Sequence, residues 1–367
     1  MTAPINLTPE CSRHRQSRLL ARMRQRQLDR VILQEPENVQ WLTGFRPHRL
    51  MSAAASLDAD GRCVLAAPNS PPDAVAVDDC ATFEAQWLCT LRQEQPTDAC
   101  RVLATAISLD RGNSRIGIEG AYATVADDDG RMVDIAPELW RLRRRKDPDE
   151  LALIRRAIDC TAAMYAAARE HIRAGITELE LFNILQAAAV TAAGEPLTHP
   201  LGNDFQCNSP GGPPRSRPAQ KGELFVLDLG PSYRGYYADN CRTICVGGQP
   251  SEAQLTAWKE IVAALRYVEE TVRPGVRCQT VYSEVKARLD RVRPGSFFHH
   301  LGHGIGLFPH EAPHLNPRWD DIFEEGDVFA AEPALYGDDL RAGIRLEENF
   351  RVTVTGVEKL THIPLEL

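Results

Sequence analysis

The sequence predicts a two-domain α/β protein, and three observations predict it. Its 367 residues exceed what a single hydrophobic core commonly serves. A basic run, Arg141-Leu142-Arg143-Arg144-Arg145-Lys146, followed at once by Asp147-Pro148-Asp149-Glu150, divides the chain into 1–140 and 148–367. Beyond that break the order helix–helix–strands occurs twice, as two related halves facing each other would give.

In the first domain, Thr8-Pro9 supplies a cap and first turn for a helix carrying Leu19, Leu20 and Met23. Val31-Ile32-Leu33 reads as a short strand. Met51–Leu57 and Arg62–Ala67 flank Asp58-Ala59-Asp60-Gly61, a hairpin signal. Residues 69–114 alternate helical and loop segments, and Arg115–Glu119 resembles another strand. Nothing in this half clusters histidines, cysteines or acids in a chemical pattern. The basic run after it reads as a solvated face or linker.

The second domain opens with Asp147 as N-cap and Pro148 at the first helical position, and its helix runs to about Arg173. Thr177-Glu178-Leu179-Glu180 is a capping box for a second helix ending at Gly194. Leu224–Leu229 and Tyr236–Val246 then read as the two strands of a hairpin. Ser251-Glu252-Ala253-Gln254 starts the repeat, with helices to Pro274 and from Thr280 to about Val292. Phe297-Phe298, Asp327–Glu332 and Gly343–Thr355 follow as strands.

Hydrophobic content of 43 % and charged content of 25 % are those of an ordinary globular chain. A net charge of −8 argues against nucleic acid or an anionic membrane as partner. The N-terminus lacks the basic start and apolar run of a secretory signal, and no stretch is apolar enough to span a bilayer. Ten scattered cysteines suit reduced thiols in a cytoplasmic protein. Cys241 and Cys245 share a strand face and read as small buried hydrophobes rather than ligands.

The chemistry starts from misplaced acids. Asp228 interrupts the apolar run Leu224–Leu229, and the hairpin can bring Asp239 beside it. Two half-buried carboxylates repel each other and lose hydration, so they need a cation or a shared proton. Val328-Phe329-Ala330-Ala331-Glu332 likewise ends in a carboxylate, and Arg345 and Glu347 are expected on one strand face. Half of the ten histidines fall between Phe298 and His314, where Gly302, Gly304 and Gly306 bracket His303 and let backbone approach what it binds. Four acids and one imidazole suit two carboxylate-bridged divalent ions, manganese, cobalt or zinc. Such a pair polarises a carbonyl and lowers the pKa of a bridging water to near neutral. Arg345 is expected to steady the carboxylates from behind.

Other motifs lead nowhere. His310-Glu311-Ala312-Pro313-His314 matches a zinc-protease string that requires a helix, which Pro309, Pro313 and Pro317 oppose. Gly302 and Gly304 lack the third glycine of a dinucleotide fingerprint.

With Asp228, Asp239, His303, Glu332 and Glu347 in order, the chain resembles the pita-bread metallopeptidase family of Xaa-Pro aminopeptidases, prolidases, methionine aminopeptidases and creatinases. Asp29–Leu33 and Asn38–Phe45 resemble the opening strand and turn of the N-terminal domain in its prolidase and creatinase branch. The resemblance implies a smaller α/β N-terminal domain before a pita-bread catalytic domain with pseudo-twofold halves. It implies that Asp228 is a terminal ligand of one metal, that Asp239 and Glu347 bridge, and that His303 and Glu332 complete the other. Glu332 would shuttle protons, His310 would contact the substrate carbonyl and the tetrahedral intermediate, and His299 would be a substrate-side histidine. All five metal positions are filled, so the metal-free creatinase branch matches poorly. A homodimer is expected by analogy.

One departure stands out. Relatives carry a further histidine about seventeen residues before the first Asp, on the leaving-group side, whereas this chain has Gly211 there. His199 or Arg215 are the candidates to replace it. The expected activity is therefore a cytoplasmic dinuclear hydrolase that removes an N-terminal residue before proline through a metal-bridging hydroxide. The alternatives are the same metals with another small amide, amidine or lyase substrate, and a non-catalytic binding protein.

Overall fold

In the computed structural model, which describes residues 5–109, 114–120, 130–202 and 204–367, the chain divides into two units. One is built on Pro4–Arg143 and the other on Glu150–Leu367; of the segment between, Arg144–Lys146 goes with the larger and Asp147–Asp149 with the smaller. Residues 1–4 of the N-terminus and 110–113 of the mixed segment lie outside the described residues.

The smaller unit starts with α1 (Pro9–Arg26), where the Thr8 hydroxyl accepts from the Cys11 N–H at 3.2 Å. Then come β1 (Arg30–Leu33), α2 (Pro36–Thr43), β2 (Ala54–Asp58), β3 (Cys63–Pro68), β4 (Asp79–Phe83), a small β5 (Gln86–Trp87)–β6 (Thr90–Leu91) hairpin and α3 (Gln95–Ala106). It closes with β7 (Ile116–Ile118), β8 (Met132–Asp134) and α4 (Ala136–Arg144). Six strands form one mixed sheet in the order β4-β3-β2-β1-β7-β8. The β2–β3 pair is the expected hairpin, and α3 packs Ala99 and Leu103 onto it.

The larger unit repeats one plan. Helices α5 (Pro148–His171) and α6 (Glu178–Ala193) precede β9 (Asp204–Cys207), β10 (Leu224–Leu229), β11 (Ser232–Tyr233), β12 (Tyr236–Tyr237) and β13 (Asn240–Cys245). Both capping boxes form, at Thr177/Glu180 and at Ser251/Gln254. The second half sets α7 (Glu252–Thr271) and α8 (Cys278–Val292) before β14 (Gly302–Gly304), β15 (Glu311–Leu315), β16 (Val328–Ala331), β17 (Ala334–Gly337), β18 (Ala342–Arg345), β19 (Glu348–Val352) and β20 (Val357–Lys359). The sheets run β13-β10-β9 and β15-β14-β16-β19-β20, with β17–β18 a separate hairpin. Ile261, Leu265 and Val268 of α7 and Val281, Val285 and Leu289 of α8 share one buried core with Phe329 and Phe350. Their 3–4-residue spacing is the apolar stripe that directs each helix onto the sheet. Among the described residues no helix is long and apolar enough to cross a membrane.

Several expectations need correction, among them 69–114, which holds strands β4, β5 and β6 as well as α3. Phe297-Phe298 is not a strand; the strand is β14, whose two glycines hid it. The run Gly343–Thr355 is broken at 346–347, so Arg345 ends β18 while Glu347 stands in the connection to β19, not on one strand face. The basic run is not a solvated face: Arg143, Arg144 and Lys146 are buried. Arg144 makes a bidentate pair with Asp327 at 2.9 and 2.7 Å, and Lys146 reaches Glu311 at 3.1 Å. Both acids are buried and require a counter-charge, which the linker supplies.

The glycines around His303 also have a different reason from the one expected. A Cβ on Gly302 would lie 2.0 Å from the Ala330 carbonyl oxygen, and one on Gly304 would lie 2.1 Å from that of Ala312. They admit the neighbouring strands rather than a ligand. Gly304→Ala should lower the unfolding free energy by roughly 3 kcal/mol, the upper end of overpacking costs, as read from urea unfolding midpoints; an unchanged midpoint would mean β14 and β15 part easily.

Candidate metal centre

Asp228 sits near the end of β10, opposite Cys241 on one side and Asp204 on the other. The Tyr165 hydroxyl of α5, placed between the carbonyls of Leu227 (2.8 Å) and Asn240 (2.6 Å), fastens β10 and β13 where both acids emerge. Asp239 immediately precedes β13. His303 is the central residue of β14, Glu332 follows β16, and Glu347 precedes β19. Strand register therefore brings the five side chains to one cavity of about 610 Å³, although 119 residues of sequence separate the first from the last.

Their ligand atoms form two overlapping sets, Asp228–Asp239–Glu347 and His303–Glu332–Glu347, with all atoms of a set within 4.8 Å of one another. Within them His303 Nε2 lies 3.8 Å from Asp239 and 3.6 Å from Glu332. Its Nδ1 faces the Gly304 carbonyl at 3.1 Å, so Nδ1 carries the proton and Nε2 keeps its lone pair for the cavity.

Burial first, then the charges of Asp228 and Glu332, push the Asp239 carboxyl well above its ordinary value. Burial, Asp239 and Asp228 do the same to Glu347. Glu332 goes the other way: burial favours its neutral form, but the His300 hydrogen bond and the surrounding imidazoles outweigh it and hold the acid down to about 2. Burial, then His310, brings the His303 imidazole down to about 3, which leaves it neutral as a ligand must be. Glu347 Oε2 is buried with no hydrogen-bond partner. An orphaned buried carboxylate oxygen among three other acids and an imidazole fits divalent cations, as an oxygen-rich donor set should.

The other expected residues gather here as well. His310 stacks on His303 with ring centroids 3.7 Å apart, and both His310 and His299 line the cavity. Arg345 donates to Asp228 at 2.8 Å and to the Tyr336 hydroxyl at 3.0 Å. His199 and Arg215 do not line the cavity. His199 is held by Tyr237 (2.7 Å) and Ser232 (3.1 Å), and Arg215 is spent on the buried Glu178. Of the zinc-protease string, His314 bonds Asp321 at 2.8 Å on strand β15, so no helix forms.

Three residues of the site were missed. His300 Nε2 meets Glu332 at 2.8 Å, Tyr336 links His299 (3.0 Å) to Arg345, and Asp204 pairs with Arg345. His300 stood in plain view beside His299, and its adjacency to the cluster was the available signal.

Because Asp239 and Glu347 are raised in the absence of a cation, the ion-free protein takes up protons on folding. The contribution of these two groups to stability is greatest below their ordinary values of 3.8 and 4.5 and is lost as pH climbs through the raised ones. The melting-temperature gap between manganese-loaded and EDTA-treated protein should therefore widen as pH rises above the ordinary carboxylate values. Each ion at a hundredfold excess over its Kd adds about 2.7 kcal/mol. A gap that stays constant or narrows would contradict the mutual repulsion of these acids.

Comparison with known proteins supports the same conclusion. Residues 152–354 match metallopeptidase family M24, and residues 15–145 match the creatinase/prolidase N-terminal domain. An uncharacterized peptidase of Staphylococcus aureus is 26 % identical over 360 residues, 94 % of this chain and 98 % of its own. Prolidase from Pyrococcus furiosus superposes with a TM-score of 0.77 at 23 % identity, covering 94 % of this chain and 99 % of its own. Xaa-Pro dipeptidase from Bacillus anthracis does so with 0.80 at 21 %, covering 97 % and 99 %. The fold is thus the pita-bread α/β architecture, and the chain belongs to metallopeptidase family M24.

Proposed function

We propose that this metallopeptidase is a dinuclear enzyme that removes the residue preceding proline at a peptide N-terminus, as an Xaa-Pro aminopeptidase or dipeptidase. The observation that carries the reading is the meeting of Asp228, Asp239, His303, Glu332 and Glu347 at one cavity that also contains His299 and His310. The names of the solved neighbours, prolidase and Xaa-Pro dipeptidase, point the same way.

Asp228, Asp239 and Glu347 would hold one ion, and His303, Glu332 and Glu347 the other. Manganese suits the donor set best, with cobalt or zinc as substitutes. Divalent ions held there would supply Lewis-acid polarisation of the scissile carbonyl and acidify the attacking water. Glu332 would accept a proton from the attacking water and deliver it to the departing nitrogen, with its carboxylate fixed by His300. His310 stands over His303, where it can donate to the carbonyl oxygen as negative charge builds. Arg345 keeps Asp228 oriented, and Tyr336 does the same for His299. Ten free cysteines suit a cytoplasmic setting.

A second reading retains the ions but takes another small amide, an amidine or a lyase substrate. It is favoured by the wall at Gly211, where a Cβ would meet Asp204 Oδ2 at 2.3 Å, so the space of the missing histidine is already filled. Manganese-loaded protein tested on a panel of Xaa-Pro peptides decides between them. Turnover is expected, and Glu332→Gln should reduce kcat by roughly 10²–10⁴-fold, with ion content measured alongside. No turnover by protein that retains two ions per chain would remove the peptidase reading.

A further inference from the structure

The wall beside Gly211 carries a consequence for substrate choice. Among the described residues lining the cavity, Arg345 is the only lysine or arginine. Both terminal nitrogens are engaged: Nη2 donates to both Asp204 and Asp228, and Nη1 to the Tyr336 hydroxyl, while Nε is buried without a hydrogen-bond partner. Asp204 is in turn fixed, its Oδ1 accepting from the Gly212 N–H at 2.5 Å. The same cavity holds Asp228, Asp239, Glu332 and Glu347. Four carboxylates balance two divalent ions, and Asp204 balances Arg345. A substrate carboxylate entering this space finds the charge of its lone arginine already paired and no surplus positive charge to meet its own. Like-charge juxtaposition of this kind discriminates strongly between ligands.

We infer that Asp204, by capturing Arg345, is a specificity-determining residue that excludes free carboxylates from the cavity. The substrates are then C-terminally extended or amidated Xaa-Pro peptides rather than free dipeptides. This rests on the peptidase reading above and narrows it from aminopeptidase-or-dipeptidase to aminopeptidase. A side chain at position 211 would also require the Asp204 carboxylate to leave its place, since a Cβ on Gly211 falls within 2.7 Å of all three of its carboxyl atoms. Gly211→His alone should therefore pull Asp204 away from Arg345 and the Gly212 N–H, whereas Asp204→Ala with Gly211→His makes room for it.

The test compares Ala-Pro, Ala-Pro-amide and Ala-Pro-Ala on manganese-loaded wild type, Asp204→Asn and Asp204→Ala, with ion content and circular dichroism recorded for each. Wild type should prefer the amide and the tripeptide to the free dipeptide by at least about tenfold in kcat/KM. Both substitutions should shrink that ratio, chiefly through a lower KM for Ala-Pro, because the freed guanidinium then meets its carboxylate. A merely structural role for Asp204 would slow all three substrates alike. Equal turnover of dipeptide and amide by wild type, or an unchanged ratio in a folded, ion-loaded variant, would overturn the inference. If no Xaa-Pro compound is turned over, the peptidase reading fails separately. Calorimetry of proline against prolinamide, on wild type and Asp204→Asn, then decides the role of Asp204. Prolinamide binding at least about tenfold tighter, with the gap closing in the variant, supports it; equal affinities, or binding of neither, would overturn it.

Discussion

Four carboxylates share one buried space, and most of the larger unit exists to hold them there against their repulsion. No local element could do this alone. Asp228 and Asp239 depend on the pairing of β10 with β13, and His303 on β14 lying between β15 and β16. Glu332 and Glu347 lie at the same end of the antiparallel pair β16–β19, beside the facing residues Ala331 and Glu348. Each acid lies within one residue of a strand end, so its backbone is anchored by the ladder while its side chain is left to the cavity. The result is a site whose geometry is as rigid as the sheets that carry it, which is what pre-organised binding of small hard cations requires.

The repeated plan explains how one chain reaches such a site. In the second half a pair of helices covers one face of the sheet, and the apolar stripes of α7 and α8 are spent on that contact. The inner surfaces are then free to carry polar groups. A polar group on a strand that is apolar elsewhere is therefore a sign of the cavity, not of solvent.

That sign is why the acids were legible in the sequence and others were not. Asp228 within Leu224–Leu229 and Glu332 after Val328–Ala331 are anomalies in an apolar context. Asp204 is not: β9 is four residues long, with Gln206 as well as Asp204 in it, and it reads as loop. Its meaning needs Arg345, 141 residues later, and the absent side chain of Gly211. Tyr336 is likewise silent until β17 turns back beside β18. The two-domain α/β architecture followed from helix caps, turn residues and periodicity. The β14 strand did not, because glycine carries no strand preference and its role there is steric. The basic run misled for a related reason: a string of arginines announces exposure, and only the tertiary structure reveals the buried Asp327 and Glu311 that require them.

Those last pairings also say where the larger unit begins in a physical sense. A fragment excised at residue 148 would look complete by its helices and sheets, yet it would leave Asp327 without Arg144 and Glu311 without Lys146. Each stranded anion would cost about 3–5 kcal/mol, enough together to consume the whole folding free energy of a typical domain. The last residues of the apparent linker are thus interior parts of the larger unit, and an autonomous version of it has to start no later than residue 144.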